Sequence, residues 1–243
     1  KAIDLEPPAD AGAAERIAAR ILEEIESGDR RVEVGYREGR RFAPSVTPRA
    51  PAAASELVLD SSKVIAIVGG ARGIGSAIAK ELARRHRPTL VLLGTVALPG
   101  NVEQLAALDE DGLRALRREL AREIEAGGAR ATPVAVQSRF ERIRGAVEAY
   151  RNLRELSALG AQVSYHVCDV RDAEATRGVF AEILRRHRTI DGLVFGAGII
   201  EDKLLQDKKP ESFDRVFGVK AEGVFNVLRA LAAKDINIRS LTI

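Results

Sequence analysis

Lys63-Val64-Ile65-Ala66-Ile67-Val68-Gly69-Gly70-Ala71-Arg72-Gly73-Ile74-Gly75 is the stretch on which the fold turns. Lys63–Val68 is apolar after its first residue, the pattern of a strand buried on both faces in a parallel sheet. Ile74–Arg85 reads as an amphipathic helix, so the glycines lie between strand and helix. Gly69 permits a tight turn out of the strand. Gly73 lets the backbone approach a pyrophosphate, and Gly75 lets the helix lie close on the sheet. The unpaired N–H groups and positive pole of the helix start then favour phosphates. A glycine pattern alone is weak; this one has the strand and helix that its chemistry requires.

Beyond it the chain alternates strand and helix. Thr89–Leu93 is the second strand and Gln162–Val167 the third, followed by a helix over Asp172–His187. Gly192–Phe195 is the fourth strand, Ser212–Ala233 a long helix, and Ser240–Ile243 a fifth strand. This order predicts an α/β fold with a doubly wound parallel sheet. One stretch breaks the rhythm. Residues 96–160 are expected to form a helical insertion, with Arg-rich helices at Leu105–Glu125 and Arg142–Leu159. Ahead of the sheet, residues 12–27 read as a helix with Ile17, Ile21, Leu22 and Ile25 on one stripe, ended by Gly28. Arg31–Phe42 reads as a hairpin turning at Glu38-Gly39, and residues 43–58 as a Pro- and Ala-rich linker. We therefore expect a structural appendage over 1–60 and a nucleotide-binding domain over 61–243. The appendage is too small to bury a core alone and is expected to pack on other chain.

Composition excludes several classes. The 38 basic residues nearly balance 35 acidic ones, and no basic stretch carries interleaved aromatics, which argues against nucleic acid. No apolar run approaches the ~20 residues of a membrane-spanning helix. No signal peptide is visible, and a single cysteine, Cys168, rules out an internal disulfide framework; both fit a reducing cytoplasm. The three histidines are scattered and suggest no metal site; His86 and His187 end Arg-rich helices, where a cation is favourable. There is no methionine in 243 residues, which suggests a piece of a longer polypeptide.

The Gly-x-x-x-Gly-x-Gly spacing resembles the Rossmann domain of short-chain dehydrogenases/reductases, although Val68 stands where that family usually has Thr. The branch most similar is the ketoreductase domain of type I polyketide synthases and polyunsaturated fatty acid synthases. Tyr165-His166-Val167-Cys168-Asp169-Val170-Arg171-Asp172, Gly196-Ala197-Gly198-Ile199-Ile200-Glu201-Asp202-Lys203 and Phe213-Asp214-Arg215-Val216-Phe217-Gly218-Val219-Lys220 carry the resemblance. It implies NADPH as cofactor. The Gly69, Gly70, Ala71, Gly73, Ile74 and Gly75 backbone would cradle it, and the Arg72 guanidinium would meet the adenosine 2′-phosphate. Thr95 joins this site where relatives usually place a second arginine. Asp169 and Val170 would contact the adenine, the alternative for Asp169 being a helix cap. Gly196, Ala197 and Gly198 would leave room for ribose and nicotinamide.

The same resemblance places a catalytic lysine at Lys220, holding the nicotinamide ribose and lowering the pKa of a tyrosine. The family's Ser and Tyr come after the fifth strand, so they are expected downstream of Ile243, and this chain alone is expected not to reduce ketones. The implied reaction is NADPH-dependent reduction of a β-keto thioester carried on an acyl carrier protein, among neighbouring synthase domains. A catalytically silent scaffold domain and a free-standing short-chain reductase remain open at this point.

Overall fold

The computed structural model describes residues 1–48, 58–232 and 240–242. Two compact units divide the chain, Lys1–Ser55 and Glu56–Ile243. In the first, β1 (Ala2–Asp4) is followed by α1 (Ala11–Glu26), β2 (Glu33–Arg37) and β3 (Arg40–Phe42). Glu38 and Gly39 have φ of 50° and 73°, the paired left-handed geometry of a tight hairpin turn. β1 runs parallel to β2 and makes a third strand that the sequence reading missed.

The expected apolar stripe of α1 is corrected. Ile17 and Ile21 are half-buried, but Leu22 and Ile25 are exposed, while Glu24 is buried. Residues 17, 21 and 24 share the inward face because their spacing of four and three follows the helical turn. A carboxylate can occupy that face because it is fully partnered. Lys1 Nζ lies 2.7 Å from it, Arg41 pairs with it, and the Tyr36 hydroxyl donates to it.

The second unit is built on β4 (Val64–Val68), whose five residues are all buried. Alternate side chains go to opposite faces. Val64, Ala66 and Val68 join a core with Phe180, Ile183 and Val227; Ile65 and Ile67 join one with Ala79, Leu92 and Leu156. α2 (Gly73–His86) leads to β5 (Thr89–Gly94), then α3 (Val102–Ala106), α4 (Glu110–Ala126) and α5 (Pro133–Ala158). β6 (Gln162–Val167), α6 (Ala173–His187), β7 (Gly192–Phe195), α7 (Pro210–Phe217), α8 (Gly223–Ala232) and β8 (Ser240–Thr242) complete the unit. The sheet order is β6-β5-β4-β7-β8 and every pairing is parallel, the doubly wound sheet that the alternation predicts.

Residues 96–160 differ from expectation. Asp109 caps α4 by accepting from the Gly112 N–H at 2.8 Å, which breaks the first expected helix in two. The second begins at Pro133 rather than Arg142, with the Thr132 hydroxyl as cap. α5 is the crossover helix itself, lengthened at its start, and Leu156 near its end is a core residue. The long helix after β7 begins at Pro210 and contains a wider π-type turn over Gly218–Glu222 between α7 and α8. The expected linker falls largely outside the described residues, as do the ends of that helix and of the fifth strand, at Ala233 and Ile243. Among the described residues no helix is long and apolar enough to cross a membrane.

Candidate functional site

In a doubly wound sheet the natural crevice opens where consecutive strands leave β4 in opposite directions, at the carboxyl ends of β4 and β7. A cleft of about 680 Å³ lies there. Gly69, Ala71, Arg72, Gly73, Ile74 and Gly75 line it from the turn after β4, and Thr95 from the end of β5. Asp169 and Val170 line it after β6, and Gly196, Ala197 and Gly198 after β7. Segments more than a hundred residues apart thus converge on one opening.

The turn is built as its glycines require. Gly69 has φ of 78°, and a Cβ there would lie 3.0 Å from the backbone of Gly196 and Ala197, where the β4 and β7 turns touch. A Cβ on Gly75 would collide with the Gly69 carbonyl, so that glycine sets how closely α2 enters. A Cβ on Gly73 would meet no protein atom within 4 Å, and Gly73 lines the cleft: the space is open there. Gly70 plays a different part from the one expected. It is buried with Ile67 and Leu92 against it, and does not line the cleft.

Around the β6 turn, Asp172 caps α6 through the Ala175 N–H at 3.0 Å. Asp169 is therefore not the cap. Its carboxylate accepts from Arg171 Nε at 3.0 Å and Nη2 at 2.6 Å and from the Arg171 backbone N–H at 3.1 Å. That guanidinium keeps the Asp169 carboxyl below its usual range. Asn226 of α8 donates to the Val170 and Arg171 carbonyls at 2.9 and 3.2 Å and fixes the turn. Val170 is buried, and Gly223 lies so close that a Cβ would come within 2.7 Å of it. Cys168 is buried behind this turn, 3.7 Å from Thr176 Oγ1, and burial pushes its thiol pKa up.

Lys220 lies in the π-type turn and does not line the cleft, but its stem lies along Gly198: a Cβ there would sit 3.0 Å from Lys220 Cε and 3.3 Å from Nζ. Tyr165 is engaged away from Lys220. Its hydroxyl donates to the Val96 carbonyl at 2.7 Å, and burial raises its pKa. His187 departs from the helix-end cation expected, because burial lowers its pKa and Nε2 has no partner; Arg185 and Arg186 supply the positive charge there. Among the described residues no group of His, Cys, Asp and Glu is placed to hold a metal ion.

Sequence reasoning missed one side of the site. α5 lies along the turn after β4. Glu148 accepts from Arg72 Nε at 3.0 Å and from the Gly73 N–H at 3.2 Å. Asn152 is buried and donates to the Ala71 carbonyl at 2.9 Å. The signal in the sequence is the spacing of Gly145, Glu148 and Asn152, which repeats on one helix face beside the small Ala146 and Ala149.

This sheet order, with a glycine turn at the point where the strand order reverses, defines a Rossmann fold of the short-chain dehydrogenase/reductase type. The family model described as the KR domain matches residues 111–241, more than half of the chain. The chain belongs to the KR domain family. It is 29% identical over 227 residues to a polyunsaturated fatty acid synthase polypeptide of Thraustochytrium sp., covering 89% of this chain and 8% of that protein. It is 33% identical over 88 residues to the 3-oxoacyl-[acyl-carrier-protein] reductase FabG of Thermotoga maritima, 36% of each chain. The chain thus spans only a small part of the large synthases it matches. It shares its fold with a ketoreductase domain from the bacillaene assembly line, at 24% identity and a TM-score of 0.57, covering 94% of this chain and 42% of that one.

Proposed function

We propose that this chain is a ketoreductase domain that uses NADPH to reduce the β-keto group of a thioester carried on an acyl carrier protein. The observation that carries the reading is the open space at Gly73, beside the first N–H groups of α2, in a chain of the KR domain family. A missing side chain at a helix start, where backbone N–H groups and the positive helix pole converge, suits a pyrophosphate, which would take the Gly73 N–H from Glu148. The turn over 69–75 would bind the phosphates, with Arg72 the cation for a 2′-phosphate beside Thr95. Asp169 and Val170 would border the adenine, and Gly196–Gly198 the nicotinamide side. NADPH supplies a hydride; the protein's share is to bind, orient and manage the proton.

Lys220, held along Gly198, is the residue to hold the nicotinamide ribose and favour the ionised form of a nearby phenol. Ketone reduction also needs a proton at oxygen, and Tyr165, bonded to Val96, is not its source. The partners in this reading are the carrier protein with its acyl chain and neighbouring synthase domains, as in the relatives' assemblies. The test is to titrate NADPH into the full-length protein and assay a β-ketoacyl thioester. NADPH should bind and the thioester should be reduced. Gly73 has φ of 53°, so Gly73→Val adds backbone strain as well as a side chain, and it should remove binding in protein whose thermal midpoint shows it still folded. A folded parent protein that binds no dinucleotide overturns the reading; one that binds NADPH but leaves the thioester intact favours the scaffold alternative.

A further inference from the structure

The helix start at α2 lacks a cap of its own. Arg72 occupies the capping position without a side-chain bond to the helix, and no acidic residue lies in the first turn. The missing acceptor comes from α5, 75 residues away, in the Glu148 carboxylate. One face of α5 holds three consecutive residues of the turn. Asn152 takes the Ala71 carbonyl, and Glu148 takes the Arg72 guanidinium and the Gly73 N–H. Gly145 seats the guanidinium, since a Cβ there would lie 2.7 Å from Arg72 Nη1 and 3.0 Å from Cζ.

We infer that Glu148 sets the preference between the two nicotinamide dinucleotides, weakening the one with a 2′-phosphate by holding Arg72 and keeping a carboxylate in the cleft. This rests on the reading of the cleft as a dinucleotide site. Glu148 itself lines the cleft, together with Arg72. Its oxygens take donors of the kind that bind phosphate: a helix-start N–H and a guanidinium N–H. Two arginines line the cleft, and both are paired, Arg171 with Asp169 and Arg72 with Glu148. A 2′-phosphate must therefore compete with the Glu148 carboxylate for Arg72 and bear its repulsion. A 2′-hydroxyl, being uncharged, does neither to a comparable degree.

The test compares NADPH and NADH affinities by fluorescence titration of the full-length protein and its Glu148→Gln and Glu148→Lys variants, with thermal midpoints as the fold control. Glu148 is exposed, so the gain is that of a solvated pair: Glu148→Gln should raise the NADPH-to-NADH affinity ratio about two- to fivefold. Glu148→Lys should raise it further, and added salt should shrink both gains. Folded variants that bind both dinucleotides with the parent's ratio, or a lower one, overturn the role of Glu148 alone. Parent and variants that bind neither dinucleotide overturn the site reading itself. The lysine variant keeps the test decisive if the glutamine variant fails to fold.

Discussion

Asp191 shows how one side chain fixes the sheet that carries the cleft. It is buried at the entrance to β7, and its Oδ2 accepts from the Val64 N–H, the first of β4, at 2.9 Å; Lys63 Nζ stands 3.8 Å from Oδ1. The Asp191 N–H in turn donates to the Val64 carbonyl at 2.8 Å. The β4–β7 pair is thus locked at its base, opposite the end where Gly69 meets Gly196. Asp191→Ala leaves a buried N–H without its partner, a loss of about 1–3 kcal/mol. Denaturant unfolding of the full-length protein should show it as a lower midpoint. A midpoint equal to the parent's would mean that water replaces the carboxylate at no cost. Gly75 belongs to the same scale. Its role was legible in the sequence because close approach of helix to turn leaves no side-chain alternative, and the Gly69 carbonyl occupies that space.

At the level of elements, α5 does two jobs. Its final turns close the crossover from β5 to β6 through Leu156, and its middle grips the turn after β4 through Asn152 and Glu148. Lys80 and Arg84 of α2 reach Glu155 at 2.7 and 3.8 Å and extend the grip along the helix. Asn152 touches the turn by a neutral bond to a carbonyl, so Asn152→Leu should weaken NADPH and NADH equally and lower stability by about 1–3 kcal/mol. A change in the ratio of the two affinities would refute that division of labour. β4 and β5 were readable because short apolar runs that end at a glycine, Gly69 and Gly94, have few alternatives to a buried parallel sheet. α3 and α4 were read as one helix because Arg and Glu favour helix throughout, and the break depends on Asp109 turning to cap. The π-type turn at Lys220 was not legible, because it changes which carbonyl each N–H meets without changing composition. The Glu148 contact was missed because it joins positions 72 and 148, and single-sequence patterns report only near neighbours.

At the scale of the whole chain, the two units are stabilised by different means, and acid should separate them. The second unit rests on apolar strands: β4 and the middle of β5 are buried and carry no ionisable group. The first has Glu24 at its centre, paired with Arg41 and Lys1, with Asp29 bridged to Arg41 at 2.6 Å. Arg41, then Lys1 and Tyr36, hold the Glu24 carboxyl far below its usual 4.5. The Arg31 N–H and then Arg41 hold Asp29 at about 2. Both groups titrate lower in the folded chain than in the unfolded one. Their stabilisation is therefore complete above about pH 4.5 and is lost as pH falls toward 2, where the unfolded chain has already taken up its protons. Glu201, lowered to about 2 by Arg215 and Ser212, has the same sign but lies at the mouth of α7, off the central strands. Peptide-level hydrogen exchange across pH 6 to 3 should thus show β2 and β3 losing protection ahead of β4 and β5. Glu24→Gln should lower protection of β2 and β3 at neutral pH and flatten its decline in acid, since the proton-linked part is gone. If the variant's decline is as steep as the parent's, Glu24 is not the source of the acid sensitivity, and the first unit owes its order to the hairpin turn and Val34 instead.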